Sequence, residues 1–145
     1  MPKVTFYTHV ADREHFIGRL SRRAASEGRL LLWLEDEAQS VRIDRDLWRE
    51  PPESFLPHEF WLPTDDYPAG VPVVLAMGEE LPELAEDIVV LNSSDAFWCD
   101  APAPPKRVLE IVGDGLEDLA AARDRFRAYR QRGFEIEHHN MQGKA

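Results

Sequence analysis

The chain has 145 residues, 43% hydrophobic and 30% charged, a composition that excludes disordered, collagenous and coiled-coil proteins and leads us to expect one globular domain over residues 1–145. Seventeen Lys and Arg stand against 27 Asp and Glu, and the net charge of −10 argues against a basic surface that tracks a nucleic-acid backbone. No apolar run reaches the roughly 20 residues of a membrane helix, residues 1–10 lack the basic and apolar regions of a signal peptide, and Cys99 has no partner for a disulfide, so a cytoplasmic protein is expected.

In chain order, Lys3 to Thr8 is β-branched and aromatic and predicts a first strand. Asp12 is placed to cap a helix whose apolar stripe is Phe16, Leu20 and Ala24, with Gly28 as its stop. Leu30 to Leu34 is continuously apolar and predicts a strand buried on both faces, completing a β-α-β unit. Glu35, Asp36 and Glu37 favour a helix start, and one or two helical pieces follow, ending before Pro51. Residues 50–71 carry five prolines with Phe55, Phe60 and Trp61, and predict a long functional loop. Strands are then expected at 71–76, 88–91 and 108–112, a long helix from Leu116 to Gly133, and a short edge strand at 134–137. His138 to Ala145 is expected to be a loose tail. With five strands or so, the order predicts a three-layer α/β/α domain around a mostly parallel, Rossmann-like sheet.

Several chemistries have no motif here. The turn after the first strand, Thr8-His9-Val10-Ala11-Asp12, holds no glycine, and no phosphate-binding loop occurs elsewhere. Ser93-Ser94-Asp95 lacks the strand-to-helix elbow of a hydrolase and reads as a turn. His138 and His139 are adjacent, and neighbours on an extended strand face opposite ways, which is unsuited to a shared metal. Cys99 reads as a packed thiol. No catalytic residue, cofactor or metal is expected.

Residues 123–132 break the acidic pattern with five arginines and one acid, a local charge of +4 against −14 over the other 135 residues. At about 100° per residue, Leu119, Ala122, Phe126, Tyr129 and Gly133 share one stripe. Arg123, Arg127 and Arg130 lie along one flank of it, and Arg125 and Arg132 along the other. An aromatic beside three guanidiniums suits an acidic peptide with a hydrophobic end. A solvated basic face with Phe126 in the core satisfies the same pattern, and so does an arginine helix that contacts single-stranded DNA directly.

The blocks Leu47-Trp48-Arg49-Glu50-Pro51-Pro52-Glu53-Ser54-Phe55-Leu56-Pro57-His58 and Ala122-Arg123-Asp124-Arg125-Phe126-Arg127-Ala128-Tyr129-Arg130-Gln131-Arg132-Gly133-Phe134 resemble the chi subunit of bacterial DNA polymerase III. Val4-Thr5-Phe6-Tyr7 and Leu34-Glu35-Asp36-Glu37 match that family's pattern too, so the likeness runs end to end, weakest between residues 62 and 106. The resemblance implies a non-catalytic accessory subunit of the clamp loader. It implies pairing with the small psi subunit and a tether to single-stranded-DNA-binding protein through that protein's acidic tail, which ends in Pro-Phe with a free carboxylate. The positions that match the family's tail site are Arg123, Phe126, Arg127 and Arg130; those that match its psi contact are Trp48, Phe55 and Pro57. Leu119 stands where some members carry lysine and Phe126 where tyrosine can occur, which implies a less electrostatic and more apolar tail site. A nucleotide-using α/β enzyme is the remaining alternative, with its site at the carboxyl ends of the strands.

Overall fold

In the computed structural model, residues 2–26, 28–49 and 56–144 are described. The elements in chain order are β1 (Lys3–Val10), α1 (Arg13–Ala24), β2 (Leu30–Trp33), α2 (Glu37–Arg49), β3 (His58–Phe60), β4 (Val73–Ala76), β5 (Val89–Asn92), a 3-10 turn (Trp98–Asp100), β6 (Arg107–Gly113), α3 (Leu116–Gln131) and β7 (Glu135–Asn140). The strands form one sheet in the order β3-β4-β2-β5-β6-β1-β7, and every pairing is parallel.

The helix starts follow from local chemistry. Asp12 keeps an extended backbone and its Oδ1 accepts from the His15 N–H at 3.1 Å, satisfying one of the free donors of α1. Asp36 does the same for α2 through the Gln39 N–H at 2.8 Å, while Gln39 Oε1 reaches back to the Glu35 N–H at 2.9 Å. At the other end of the chain, α3 stops at Gln131 rather than Gly133. Gly133 takes φ +81°, and the Phe134 N–H closes onto the Tyr129 carbonyl at 3.1 Å. That left-handed step suits glycine and turns the chain into β7.

Two apolar layers sandwich the sheet. Phe16, Ile17, Ile43 and Leu47 from α1 and α2 pack with Leu30, Leu32 and Leu34 on one face. Ala122 and Tyr129 from α3 pack with Leu31, Trp33, Trp61 and Trp98 on the other. β2 is buried on both faces, as a continuous Leu-Leu-Leu-Trp run requires at the centre of a doubly covered sheet.

β1, α1 and β2 form the expected β-α-β unit of parallel strands, with β5 and β6 inserted between the two. Three expectations need correction. Residues 58–60 are a third strand inside the expected loop, held on β4 as an edge. The described residues hold seven strands rather than about five. The expected tail from His138 is strand as far as Asn140, because β7 follows β1 residue by residue from Lys3↔Glu135 to Thr8↔Asn140 and fills its hydrogen bonds.

Candidate functional site

The two arginine flanks of α3 have different surroundings. On the inner flank Arg125 is 8% exposed. Its Nη2 lies 3.4 Å from Oε1 of Glu110, which β6 places under the helix with no solvent exposure. Tyr129 donates its hydroxyl to Glu110 Oε2 at 2.8 Å, and Asn92 donates Nδ2 to both carboxylate oxygens at 3.0 and 3.2 Å. Burial pushes the Glu110 carboxyl above its ordinary range, against the opposing pull of Arg125 and the Tyr129 and Asn92 hydrogen bonds. The Tyr129 hydroxyl is driven upward by burial and by the Glu110 charge. Arg132, also on this flank, donates to the Cys99 carbonyl at 3.4 Å and lies over the Phe97 ring. Sequence reasoning missed this cluster, since nothing in a lone glutamate on an apolar strand marks it as the partner of an arginine fifteen residues on.

On the outer flank Arg123, Arg127 and Arg130 are exposed, and their side chains make no hydrogen bond or ion pair among the described residues. Beside them runs a groove of about 380 Å³ between α3 and the β1/β7 edge. Leu119, Ala122, Arg123 and Phe126 form its helical wall. Phe6, Thr8 and His9 of β1 and His138 of β7 form its floor and far side. Phe126 is half-buried, its ring 5.5 Å from that of Phe6, so it serves the core and the groove together. Of the four residues matched to the tail site, Arg123 and Phe126 line the groove. Arg127 and Arg130 stand outside its lining on the same helix face. The two histidines were not among the expected site residues.

A second region lies at the β3 edge. Trp48 is 56% exposed, which sets aside a core role. Its Nε1 donates to Asp44 Oδ1 at 3.2 Å, and its ring meets His58 edge-on at 5.3 Å. His58 is buried against Asp44 and the Leu56 carbonyl, both at 2.7 Å from its ring nitrogens. Pro57 is exposed, and Phe55 lies outside the described residues. Val41, one helical stripe from Trp48, is exposed together with Phe60, Leu62 and Met77. An apolar groove of about 520 Å³ runs among these last four, over Trp61 and Leu75. Sequence reasoning took in Trp48 and Pro57 but not Phe60 or Leu62, which lay in an apparent loop.

Other polar features lie apart from these two regions. Cys99 is buried, and burial pushes its thiol up to about 11. Ser94 takes part in a local turn, its N–H and hydroxyl both donating to Asn92 Oδ1. At the sheet's carboxyl end, Arg13 bridges Glu35 at 2.9 Å beside a polar cleft of about 50 Å³. Among the described residues no group of three or more His, Cys, Asp or Glu is placed to hold a metal ion, and no helix is long and apolar enough to cross a membrane.

Residues 1–137 match the family model described as DNA polymerase III chi subunit, HolC. The DNA polymerase III subunit chi of Escherichia coli K12 is 34% identical over 118 residues, 80% of this chain and 76% of that protein. The subunit of the same name from Pseudomonas aeruginosa PAO1 is 34% identical over 149 aligned positions, covering 97% of this chain and 98% of its own length.

Proposed function

Since the chain belongs to the DNA polymerase III chi subunit family, we propose that it serves the replicative polymerase as a non-catalytic accessory subunit, binding the acidic tail of single-stranded-DNA-binding protein at α3 and the psi subunit at the β3 edge. The observation that carries the tail reading is the placing of three exposed arginines, without side-chain partners among the described residues, beside a largely apolar groove on a protein of net charge −10. A peptide of acidic residues ending in Phe with a free carboxylate complements that surface. The aromatic ring enters between Leu119, Phe126 and Phe6, and its carboxylate meets Arg123 in a charge-assisted hydrogen bond. Arg127 and Arg130 attract the acidic residues upstream at longer range.

For psi, the support is the exposed apolar surface of Val41, Trp48, Phe60, Leu62 and Met77, where aromatic anchors and few charges are what a protein partner would bury. Pro57, exposed, directly precedes β3 in sequence. The α3 groove beside β1 and β7 and the apolar surface at β3 lie at opposite ends of the sheet, which supports simultaneous binding of both partners. A tail repeated on every subunit of a DNA-coating protein makes a weak contact effective, because each engagement raises the local concentration for the next.

The test is fluorescence anisotropy with an acidic peptide ending in Pro-Phe, beside its amidated form and a bare oligonucleotide. Binding is expected to the free carboxylate alone; binding to the oligonucleotide alone would transfer the arginines to direct DNA contact. Phe60→Glu is expected to abolish co-elution with psi while leaving the peptide affinity unchanged.

A further inference from the structure

β1 contains a backbone irregularity at the groove. Val4 and Phe6 face the α3 layer, while Tyr7 packs with the α1 layer, as strand alternation requires. Continued alternation would send His9 to the α1 side with Tyr7, and Val10 to the α3 side with Phe6. The reverse is observed. The pairing with β6 breaks register between Tyr7 and Val10, Val10 joins the α1 layer, and His9 turns over to line the groove. His9 does this at φ +56°, the one non-glycine residue at positive φ among those described. Such strain persists where the surroundings hold it, and it gathers at binding sites.

His138 reaches the same wall by a regular route. It pairs with Phe6 across β1 and β7 and so shares that residue's face. Its Nε2 lies 2.7 Å from Thr8 Oγ1. A hydroxyl both donates and accepts, so Thr8 suits the neutral ring and the imidazolium equally.

We propose that His9 and His138 form an anion-binding wall opposite Arg123, so that uptake of an acidic, carboxylate-ended peptide in this groove is tied to protonation of the two imidazoles. The proposal rests on the peptide reading of the groove. Among the described residues of the lining, Arg123 is the single Lys, Arg, Asp or Glu. At the mouth, Asp114 Oδ1 stands 3.3 Å from His9 Nδ1, exposed to solvent. From the first turn of α3, the Asp118 carboxylate lies against Gly113 and Gly115. On β7, Glu137 is engaged by Lys3 and His139. Phe6, Leu119, Ala122 and Phe126 contribute no charge. Protonation of both imidazoles therefore adds two positive charges to that of Arg123, with the exposed Asp114 carboxylate beside one of them. A bound carboxylate favours the charged rings, so binding draws protons onto them.

The experiment measures the acidic Pro-Phe peptide by anisotropy at pH 6 and pH 8, with the titration of each imidazole followed by NMR in the free and saturated chain. The peptide's carboxylates are ionised at both values. The expected result is affinity about five- to tenfold tighter at pH 6, a change of less than about twofold in His9→Gln/His138→Gln, and titration midpoints for both rings that rise by about 0.5 or more on saturation. Binding that is equal at the two pH values, or a pH response kept by the double variant, would overturn the imidazole wall and leave the peptide groove standing. No binding at either pH would overturn both. The NMR readout uses the native chain and so does not depend on the variant's folding.

Discussion

The two flanks of α3 carry the same residue type to opposite ends. Arg125, facing inward, is surrounded by Glu110, Tyr129 and Asn92 and ties the helix to the sheet. Arg123, about 160° around the helix, faces water with no side-chain partner among the described residues. A buried guanidinium is retained by the carboxylate it neutralises, whereas an exposed one is free to meet a ligand. The comparison shows that the +4 segment is not one patch: Arg125 is consumed inside the protein, while Arg123, Arg127 and Arg130 face solvent.

The largest expected effect comes from breaking the inner flank. Arg125→Met leaves Glu110 buried without its cation and is expected to cost about 3–5 kcal/mol at neutral pH, measured by urea denaturation. The pH dependence follows from the direction of the Glu110 shift. A carboxyl raised above its unfolded value holds more protons folded than unfolded, so stability is lost as pH rises through the folded value. Removing Arg125 raises Glu110 further, and the deficit is expected to shrink as pH falls toward 5. A loss below about 1 kcal/mol would show that Arg125 is not an internal tie.

On the outer flank the sign of the outcome is reversed. Arg123→Glu is expected to weaken peptide binding by roughly 1.5–3 kcal/mol, with added repulsion, while the unfolding free energy from urea denaturation stays within about 0.5 kcal/mol of the native chain. Arg127→Glu, outside the groove lining, is expected to weaken it less. A stability loss in Arg123→Glu that matches Arg125→Met would erase the distinction between the flanks.

The smallest effect sharpens it. Raising salt from about 0.05 to 0.5 M is expected to weaken peptide binding several-fold, since the outer arginines are screened over distances of roughly 10 Å or less. The stability difference between the native chain and Arg125→Met is expected to hold nearly constant over the same range, because the Glu110 pair is shielded from ions.

Much of the fold was legible where one residue type has one use. Leu30 to Trp33 could only be a doubly buried strand, and Asp12 and Gly133 mark the α1 start and the α3 exit through hydrogen-bonding and backbone needs that are local. β3 was not legible, because three residues, His58-Glu59-Phe60, between prolines carry no alternation, and the strand exists through its pairing with β4. In the candidate site, Phe126 and the arginine flanks followed from helical spacing. His9 did not, since strand periodicity assigns it to the wrong face and only the register break with β6 reverses that.

By itself the sequence determined the parallel α/β class, the two arginine flanks of α3 and the likeness to the chi family, because each depends on periodicity or on blocks of contiguous residues. The tertiary structure decided the rest: that β5 and β6 separate β1 from β2, that Glu110 holds Arg125 on the inner side of α3, and that residues 138–140 pair with β1 and bring His138 into the groove that Arg123 also lines. These outcomes depend on which residues far apart in the chain become neighbours, and that is set by the global minimum of burial and hydrogen bonding rather than by any local preference.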